Sequence, residues 1–474
     1  MSNNTKALKS GVWYTAANFL TSSIGLITTP IFARMLSKAD FGAYSNYTSW
    51  LSIFSILFTL NLGATFISAR YDYDDKFNEY ISSSLALSTL SIGIGALILN
   101  LIYVPFQAKF GFDRIYLNCM MVYLVMNSAV NMFQTKERYE FKYKISVLVS
   151  LIISLSTALV SVLLVTHLSD KLRGRIFGAA FPTIIVGLIL FLYLNYSGRK
   201  VKISYWKYAL PIALPFIPHL LSMSVLGSMD RIMITNICGT EDNASYSLAY
   251  TSGSIITMLV NSMNTAYSPW LGHKLNEDTD AAYEEIRKFS RIYIGVFIFA
   301  CIGVMLVTPE ALLFFGGKKY IEAKFVMPPV TCGVGCQFLY TMFANIEQYK
   351  KKTIGMAIAS VSAALLNYGL NLWLIPKYGY IAAAYTTLAG YLWLLVAHMF
   401  LVKWLGYDKT YEYKFIIVVT ALLLLITMGV NFIYNYTIIR YLIILVYAGI
   451  TLFIVVKYGK LLLEKYKSMK KSKA

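Results

Sequence analysis

Uncharged, mostly apolar runs follow one another from end to end of this 474-residue chain. Most are near the roughly 20 residues that a helix needs to cross the hydrocarbon of a bilayer. Backbone N–H and C=O groups find no water there, so such runs must close their own hydrogen bonds as helices. A membrane barrel would show shorter segments of alternating polar and apolar residues, and no such alternation persists here. The runs fall at 11–33, 43–68, 80–104, 115–135, 145–166, 176–195, 208–229, 244–271, 291–312, 325–346, 354–374, 379–400, 415–436 and 441–458. The fold class expected is therefore all-α, polytopic, with about fourteen transmembrane helices. Charged residues are 14% of the chain, against about 25% in soluble domains. A secreted protein, a cytosolic enzyme and a DNA-binding domain are all poorly compatible with this pattern.

The placement of basic residues predicts an orientation. With a cytoplasmic N-terminus, 29 of the 42 Lys and Arg residues fall on cytoplasmic segments and 13 on outer ones. The positive-inside rule then puts both termini in the cytoplasm. The weak points are the outer loops at Lys171 to Arg175 and Lys318 to Lys324. The net charge of +19 does not point to nucleic acid, because it lies in short links between apolar runs. The stretch Lys457 to Ala474 holds seven lysines and one glutamate, and reads as a polybasic tail on anionic lipid. The polar start, Met1 to Ser10, leads into a run too long for a signal-peptide core, read as a retained first helix. The link from about Gly272 to Phe289, rich in both signs of charge, predicts a short amphipathic helix on the cytoplasmic face. Five cysteines stand singly in or beside apolar runs and lack the spacing of a metal site.

An internal echo is visible. Phe41-Gly42-Ala43-Tyr44-Ser45 opens the second run, and Asn243-Ala244-Ser245-Tyr246-Ser247 opens the eighth. The preceding runs end in Arg34 and Arg231, and Gly379 to Ala384 is a further relative. Six runs separate the first two copies. This predicts two six-helix bundles at 1–200 and 201–401, with a C-terminal helix pair and tail at 402–474. Such repeats are common in secondary transporters.

Ionisable residues and helix breakers at membrane depth are candidates for function. Pro211, Pro215 and Pro218 remove three backbone donors from the seventh run, which predicts a bend or opening beside His219. That is either a hinge facing a cavity or a matter of packing. Arg34 and Arg231 lie near the water, where long basic stems can reach the headgroups. Their matching positions in the echo also allow two guanidiniums at the mouth of a central cavity, where they can pair bidentately with phosphate. Asp230 is a candidate cavity residue or neutralising partner, and Arg70 and Glu347 mark the cytoplasmic ends of the second and tenth runs as candidate gate residues. No P-loop, H-E-x-x-H pair or G-x-S-x-G elbow occurs, so neither an enzyme nor a resident metal is expected.

Pro30 to Ser37 with Asp40 to Tyr44, Leu210-Pro211 through Asp230-Arg231 to Ser245-Tyr246, and Asn367 through Pro376-Lys377-Tyr378-Gly379 to Ala384 together resemble the bacterial polysaccharide-unit flippases. That family, which serves O-antigen and capsule assembly, lies in the multidrug/oligosaccharidyl-lipid/polysaccharide exporter superfamily. The resemblance spans nearly the whole chain through loose motifs. It implies a multi-pass protein of the bacterial cytoplasmic membrane that moves a polyprenyl-pyrophosphate-linked oligosaccharide outward. It also implies a cationic cavity between two bundles, in which Arg34 and Arg231 are the nearest matches for holding pyrophosphate. Coupling to a proton or sodium gradient is compatible with it, but no carboxylate stands out for that role. The implied partners are the lipid-linked sugar, anionic lipids and a polysaccharide polymerase, with no nucleic acid. The charge deep in the helices is scarcer than the family pattern implies. A cation-coupled multidrug extruder and a non-transport scaffold of an assembly complex stay open as alternatives.

Overall fold

The computed structural model describes residues 20–140 and 142–471. The polar start and the first part of the first predicted run lie outside them. Among the described residues the chain is helical throughout. In order come α1 (20–35), α2 (Lys38–Thr59), α3 (Phe66–Asp72), α4 (Phe77–Leu101), α5 (Tyr103–Phe110), α6 (Arg114–Tyr139), α7 (Tyr143–His167) and α8 (Lys171–Gly198). Then follow α9 (Ile203–Ala213), α10 (Ile217–Ile237), α11 (Thr240–Gly253), α12 (Thr257–Glu277), α13 (Asp280–Leu306) and α14 (Thr308–Phe315). The last are α15 (Met327–Tyr349), α16 (Thr353–Tyr378), α17 (Tyr380–Trp404), α18 (Tyr413–Ile433) and α19 (Thr437–Lys471).

Among the described residues ten helices are individually long and apolar enough to cross a membrane. Lys38–Thr59 with Leu62–Asp72, bent by 46°, makes an eleventh. The remaining predicted runs are the first, described only from residue 20, and those covered by α11–α12 and α15. Their lower hydropathy has a structural cause. Asn243, Ser245 and Ser247 of α11 are buried, as is nearly the whole length of α15. Helices screened from lipid need small and hydroxylated residues to approach one another, not a greasy surface. The two spans left most exposed, α7 and the first part of α19, are both strongly apolar.

The amphipathic helix expected in the link from Gly272 to Phe289 does not form as a separate element. Instead α12 runs on to Glu277, Asp278 turns in the left-handed region at φ 46°, and α13 starts at Asp280. The Thr279 hydroxyl accepts from the Ala282 N–H at 3.2 Å, an N-cap that starts the new helix at once. Lys274 bridges the turn to Glu285 at 2.8 Å. The alternating charges are thus the ends of two antiparallel helices.

The two stretches of the internal echo pack directly on each other. Helix α2 is started by Ser37, whose hydroxyl accepts from the Asp40 N–H at 3.0 Å. It then lies against α10 and α11. A Cβ on Gly42 would stand 1.8 Å from the Thr240 carbonyl oxygen, so only glycine permits this approach. Asn243 Nδ2 donates to the Gly42 carbonyl at 2.9 Å. The Ser45 and Ser247 hydroxyls, 202 residues apart, meet at 2.6 Å. Links at this end of the molecule include Lys319 Nζ to the Leu36 carbonyl at 2.9 Å and Lys171 Nζ to Met35 at 3.2 Å.

The proline-rich run passes through a 3₁₀ turn but stays one continuous span, Ile203–Ile237. Pro211 lies inside α9, Pro215 in a 3₁₀ turn over Leu214–Phe216, and Pro218 in the first turn of α10. The turn falls where the segment changes neighbours. Tyr205, Ala209 and Ala213 of α9 share a core with Phe66, Phe77, Tyr80 and Leu194 of the first half. Beyond it, Leu226 of α10 joins the core of the second half with Ala363 and Leu388. At the C-terminal end, Arg440 of α19 grips Glu310 of α14 bidentately, at 2.5 and 2.6 Å. The lysine-rich stretch from Lys457 continues α19 to Lys471, and residues 472–474 lie outside the described ones.

Candidate functional site

Two adjoining cavities open beside the α2–α11 contact. The smaller, about 350 Å³, is lined from α1, α2, α8, α10 and α11. The larger, about 480 Å³, extends into the first half between α1, α2, α6, α7 and α8. Gly25, Thr28, Phe32, Tyr44, Thr48 and Arg175 line both. Neither lining holds an aspartate or glutamate among the described residues. The smaller one holds two guanidiniums, those of Arg175 and Arg231.

Arg175 was expected in an outer loop. Its helix starts earlier than the apolar run does, because the Asp170 carboxylate caps α8 by accepting from the Arg173 N–H at 2.9 Å. That places Arg175 one turn inside. Gly174 and Gly178 flank it at helical spacing, and a Cβ on Gly178 would lie 2.4 Å from Ser161 Cα. Close packing of α7 on α8 thus fixes the direction of Arg175. Its guanidinium carbon stands 3.9 Å from the Phe32 ring centre and 4.2 Å from that of Tyr44. One terminal nitrogen donates to the Ser161 hydroxyl at 2.9 Å, while Nε is buried without a partner. Held by rings, and with no carboxylate among the described residues paired to it, this cation keeps donors for an anion.

Arg231 reaches the same cavity from α10. It stacks on Tyr250 at 4.6 Å and donates to the Gly227 carbonyl at 3.1 Å. Arg34 does not join it. The Arg34 side chain is exposed and donates to the Phe314 carbonyl at 2.6 Å. The helical face Tyr123, Asn127, Asn131 and Gln134 of α6 supplies a phenol and three amides to the larger cavity, at the spacing that puts residues on one side of a helix.

Asp230 points the other way, into the second half. It is 1% exposed. Tyr246 of α11 donates to its Oδ2 at 2.6 Å, Asn371 of α16 to its Oδ1 at 2.6 Å, and Thr387 of α17 also to Oδ2. Asn367 and Thr386 complete the network around Asn371. Neutral donors from three other helices thus hold a carboxylate at membrane depth, a position that marks a candidate functional residue. No cluster of three or more His, Cys, Asp or Glu suited to a metal ion occurs among the described residues.

The remaining candidates lie apart from both cavities. His219 is half-buried, its Nδ1 2.8 Å from the Ser360 hydroxyl of α16. Arg70 pairs with Asp74 and covers the Phe77 ring at 5.5 Å. Glu347 is buried against His398 at 2.6 Å. Arg70 and Glu347 are each engaged within their own half. Sequence reading missed Arg175, the amide face of α6, and the partners of Asp230. The i, i+4, i+7 spacing of Asn127, Asn131 and Gln134 was the available signal for the second.

An all-α polytopic fold around a basic cavity with no acid among its described lining residues is that of a membrane transporter, and the family matches place the chain in the multidrug/oligosaccharidyl-lipid/polysaccharide exporter superfamily. Residues 7–273, more than half of the chain, match the model of the polysaccharide biosynthesis protein family, and residues 215–373 match the MatE family. The chain belongs to the polysaccharide biosynthesis protein family. It is similar to a protein of the Lsg locus of Haemophilus influenzae, with 19% identity over 76% of this chain and 89% of that protein. Among solved structures it resembles the lipid II flippase MurJ in an inward closed conformation. There the TM-score is 0.68 and the identity 15%, over 95% of this chain and all of that one. A transporter of the MOP superfamily from Pyrococcus furiosus gives a TM-score of 0.58 at 13% identity, over 85% of this chain and 96% of that one. At these identities the structures establish the fold.

Proposed function

We propose that this protein is a flippase moving a polyprenyl-pyrophosphate-linked oligosaccharide across the bacterial cytoplasmic membrane for surface polysaccharide assembly. The observation that carries the reading is the pair Arg175 and Arg231 in one cavity, with no carboxylate among its described lining residues. Two guanidiniums with free donors suit a pyrophosphate. The hydroxyl- and amide-lined extension into the first half suits sugar hydroxyls, with Asn127, Asn131 and Gln134 as contacts. The lack of acids among the described lining residues of both cavities disfavours a cationic drug as cargo.

On this reading the chain has fourteen spans, halves at 1–200 and 201–401, and a C-terminal pair at 402–474. Both termini lie in the cytoplasm and the lysine-rich tail on anionic lipid. The contact of Gly42 and Ser45 with α11 then closes the outer side, and the cavity awaits cargo from the cytoplasm. The cargo passes outside to a polysaccharide polymerase. Asp230 is the group we assign to binding a coupling proton or sodium ion, because its network ties α10, α11, α16 and α17 together.

The test is translocation of a labelled polyprenyl-pyrophosphate oligosaccharide in proteoliposomes, with and without an imposed proton or sodium gradient. Movement that depends on the protein is the expected result. Export of a cationic dye with no movement of the lipid-linked sugar would replace this reading by drug extrusion.

A further inference from the structure

Helices α6 and α15 end alike, at a constant spacing of 210 residues. Met132, Phe133, Glu137 and Tyr139 of α6 correspond to Met342, Phe343, Glu347 and Tyr349 of α15. Both helices stop at that tyrosine. In each, the glutamate carbonyl accepts from the backbone N–H of a lysine five residues on, Lys142 at 2.8 Å and Lys352 at 2.9 Å. Both side chains are buried, Glu137 at 3% exposure and Glu347 at 1%. In both, Oε2 is buried with no hydrogen-bond partner. A buried carboxyl oxygen without a donor is uncommon and calls for an explanation.

The partners distinguish the two halves. Next to Glu137 stands Lys136, itself buried, its Nζ 5.4 Å from the Tyr193 ring centre. Glu347 Oε1 instead lies 2.6 Å from His398 Nδ1, and the imidazole, 3% exposed, stacks on Tyr340 at 5.3 Å. Imidazole is the side chain whose charge changes most readily between about pH 5 and 8.

We propose that Glu347 and His398 form a second proton-loading site, which acts in series with Asp230 so that both are needed to couple a proton gradient to movement of the helices after residue 201; the coupling part rests on the transport reading above. Loading adds one proton from water to the imidazole–carboxylate pair. The proton resides on His398 as an imidazolium beside the carboxylate, or on the free Oε2 of Glu347. Either way the buried charge goes from minus one to zero, and discharge returns the same proton to water on the other side.

The placement connects this site to the moving parts. The pair joins α15 to α17, and α17 carries Thr386 and Thr387 of the Asp230 network about three turns away. His219, just past the proline turn, is a further titratable group on this side and is hydrogen-bonded to Ser360 of α16. The other titratable groups around the pair are Tyr340 on α15, Tyr411 and Tyr413 ahead of and at the start of α18, and Lys350 to Lys352 past the end of α15. Tyr411 donates to the Met342 carbonyl at 3.2 Å and Tyr413 to that of Met399 at 3.1 Å.

Proton binding is measured directly on the purified full chain, by infrared difference spectra between pH 8 and pH 5. The expected result is a glutamate or imidazole signal that is lost in Glu347→Gln, altered in His398→Asn and kept in Glu137→Gln. In proteoliposomes, an imposed proton gradient should speed translocation by the wild type severalfold. Glu347→Gln and His398→Asn should run at the gradient-free rate. Thermal denaturation establishes folding, and should Glu347→Gln not fold, His398→Asn carries the test. Spectra of the variants identical to wild type would overturn the site. An unaltered gradient response in folded variants would overturn the coupling. If the infrared signal is present but the wild type moves no lipid-linked sugar, the proton site stands and the flippase reading falls.

Discussion

Arg175 and Arg231 differ from Arg34 in what their guanidiniums are left free to do. Arg34 is bonded to a carbonyl at the surface, whereas the other two face a cavity between aromatic rings. A hydrogen bond to a charged group contributes about 1.5–3 kcal/mol, so Arg175→Ala or Arg231→Ala should slow translocation roughly ten- to a hundredfold. Arg34→Ala should change it less than about twofold. Initial rates at matched abundance in proteoliposomes make the comparison. Asp230 calls for a different test, because its neighbours depend on it. Asp230→Ala leaves Tyr246, Asn371 and Thr387 donors unsatisfied, at about 1–3 kcal/mol for each buried group, and should lower the melting temperature. Asp230→Asn keeps the shape, and should leave the fold but remove the response to the coupling ion. A gradient response retained in Asp230→Asn would take Asp230 out of the coupling role. Arg231 and Asp230 were legible as polar residues in an apolar run. Arg175 was hidden because a helix cap, not hydropathy, sets where α8 begins. The partners of Asp230 were hidden because they come from three other helices far apart in sequence.

Elements divide in the same way between what local chemistry dictates and what tertiary packing adds. Three prolines within eight residues were enough to place the turn near residue 215, since each lacks the donor that helix continuation needs. They could not indicate that α9 would pack among early helices alone while α10 would bridge α2 and α16, which is what makes the turn between them a candidate hinge. Pro215→Ala restores one backbone donor and favours a continuous helix. The expected outcome is a melting temperature equal to or above the wild type, with translocation slowed several-fold. Unchanged transport would leave Pro215 with a packing role alone. Helices α11 and α15 show the converse limit. They are too polar to be secure spans by composition, and they are the ones that the other helices surround. The charged link at 272–289 was misread as a helix of its own because alternating charge marks a solvated face. A single left-handed residue, Asp278, gave that face to two helices at once.

At the scale of the molecule, the contact between α2 and α11 unites the sequence echo with the proposed mechanism. Ser45 and Ser247 hold equivalent places in the two copies and touch each other, as residues near an axis relating two halves must. The same contact lies beside the basic cavity, since both serines line it. If the halves rock to expose the cavity alternately on the two sides, this contact has to open once per cycle. If the protein is a static scaffold, it never needs to. Ser45→Cys with Ser247→Cys places two sulfurs where oxygens now stand 2.6 Å apart, within small adjustments of the roughly 2.05 Å of a disulfide. Oxidation should therefore cross-link α2 to α11 and stop translocation, and reduction should restore it. Each single variant should transport in both redox states, which separates the lock from the effect of the cysteines themselves. Transport that continues in a fully cross-linked double variant would mean that the halves do not part here. The cargo would then have to pass without opening the face that Gly42, Asn243 and the two serines close.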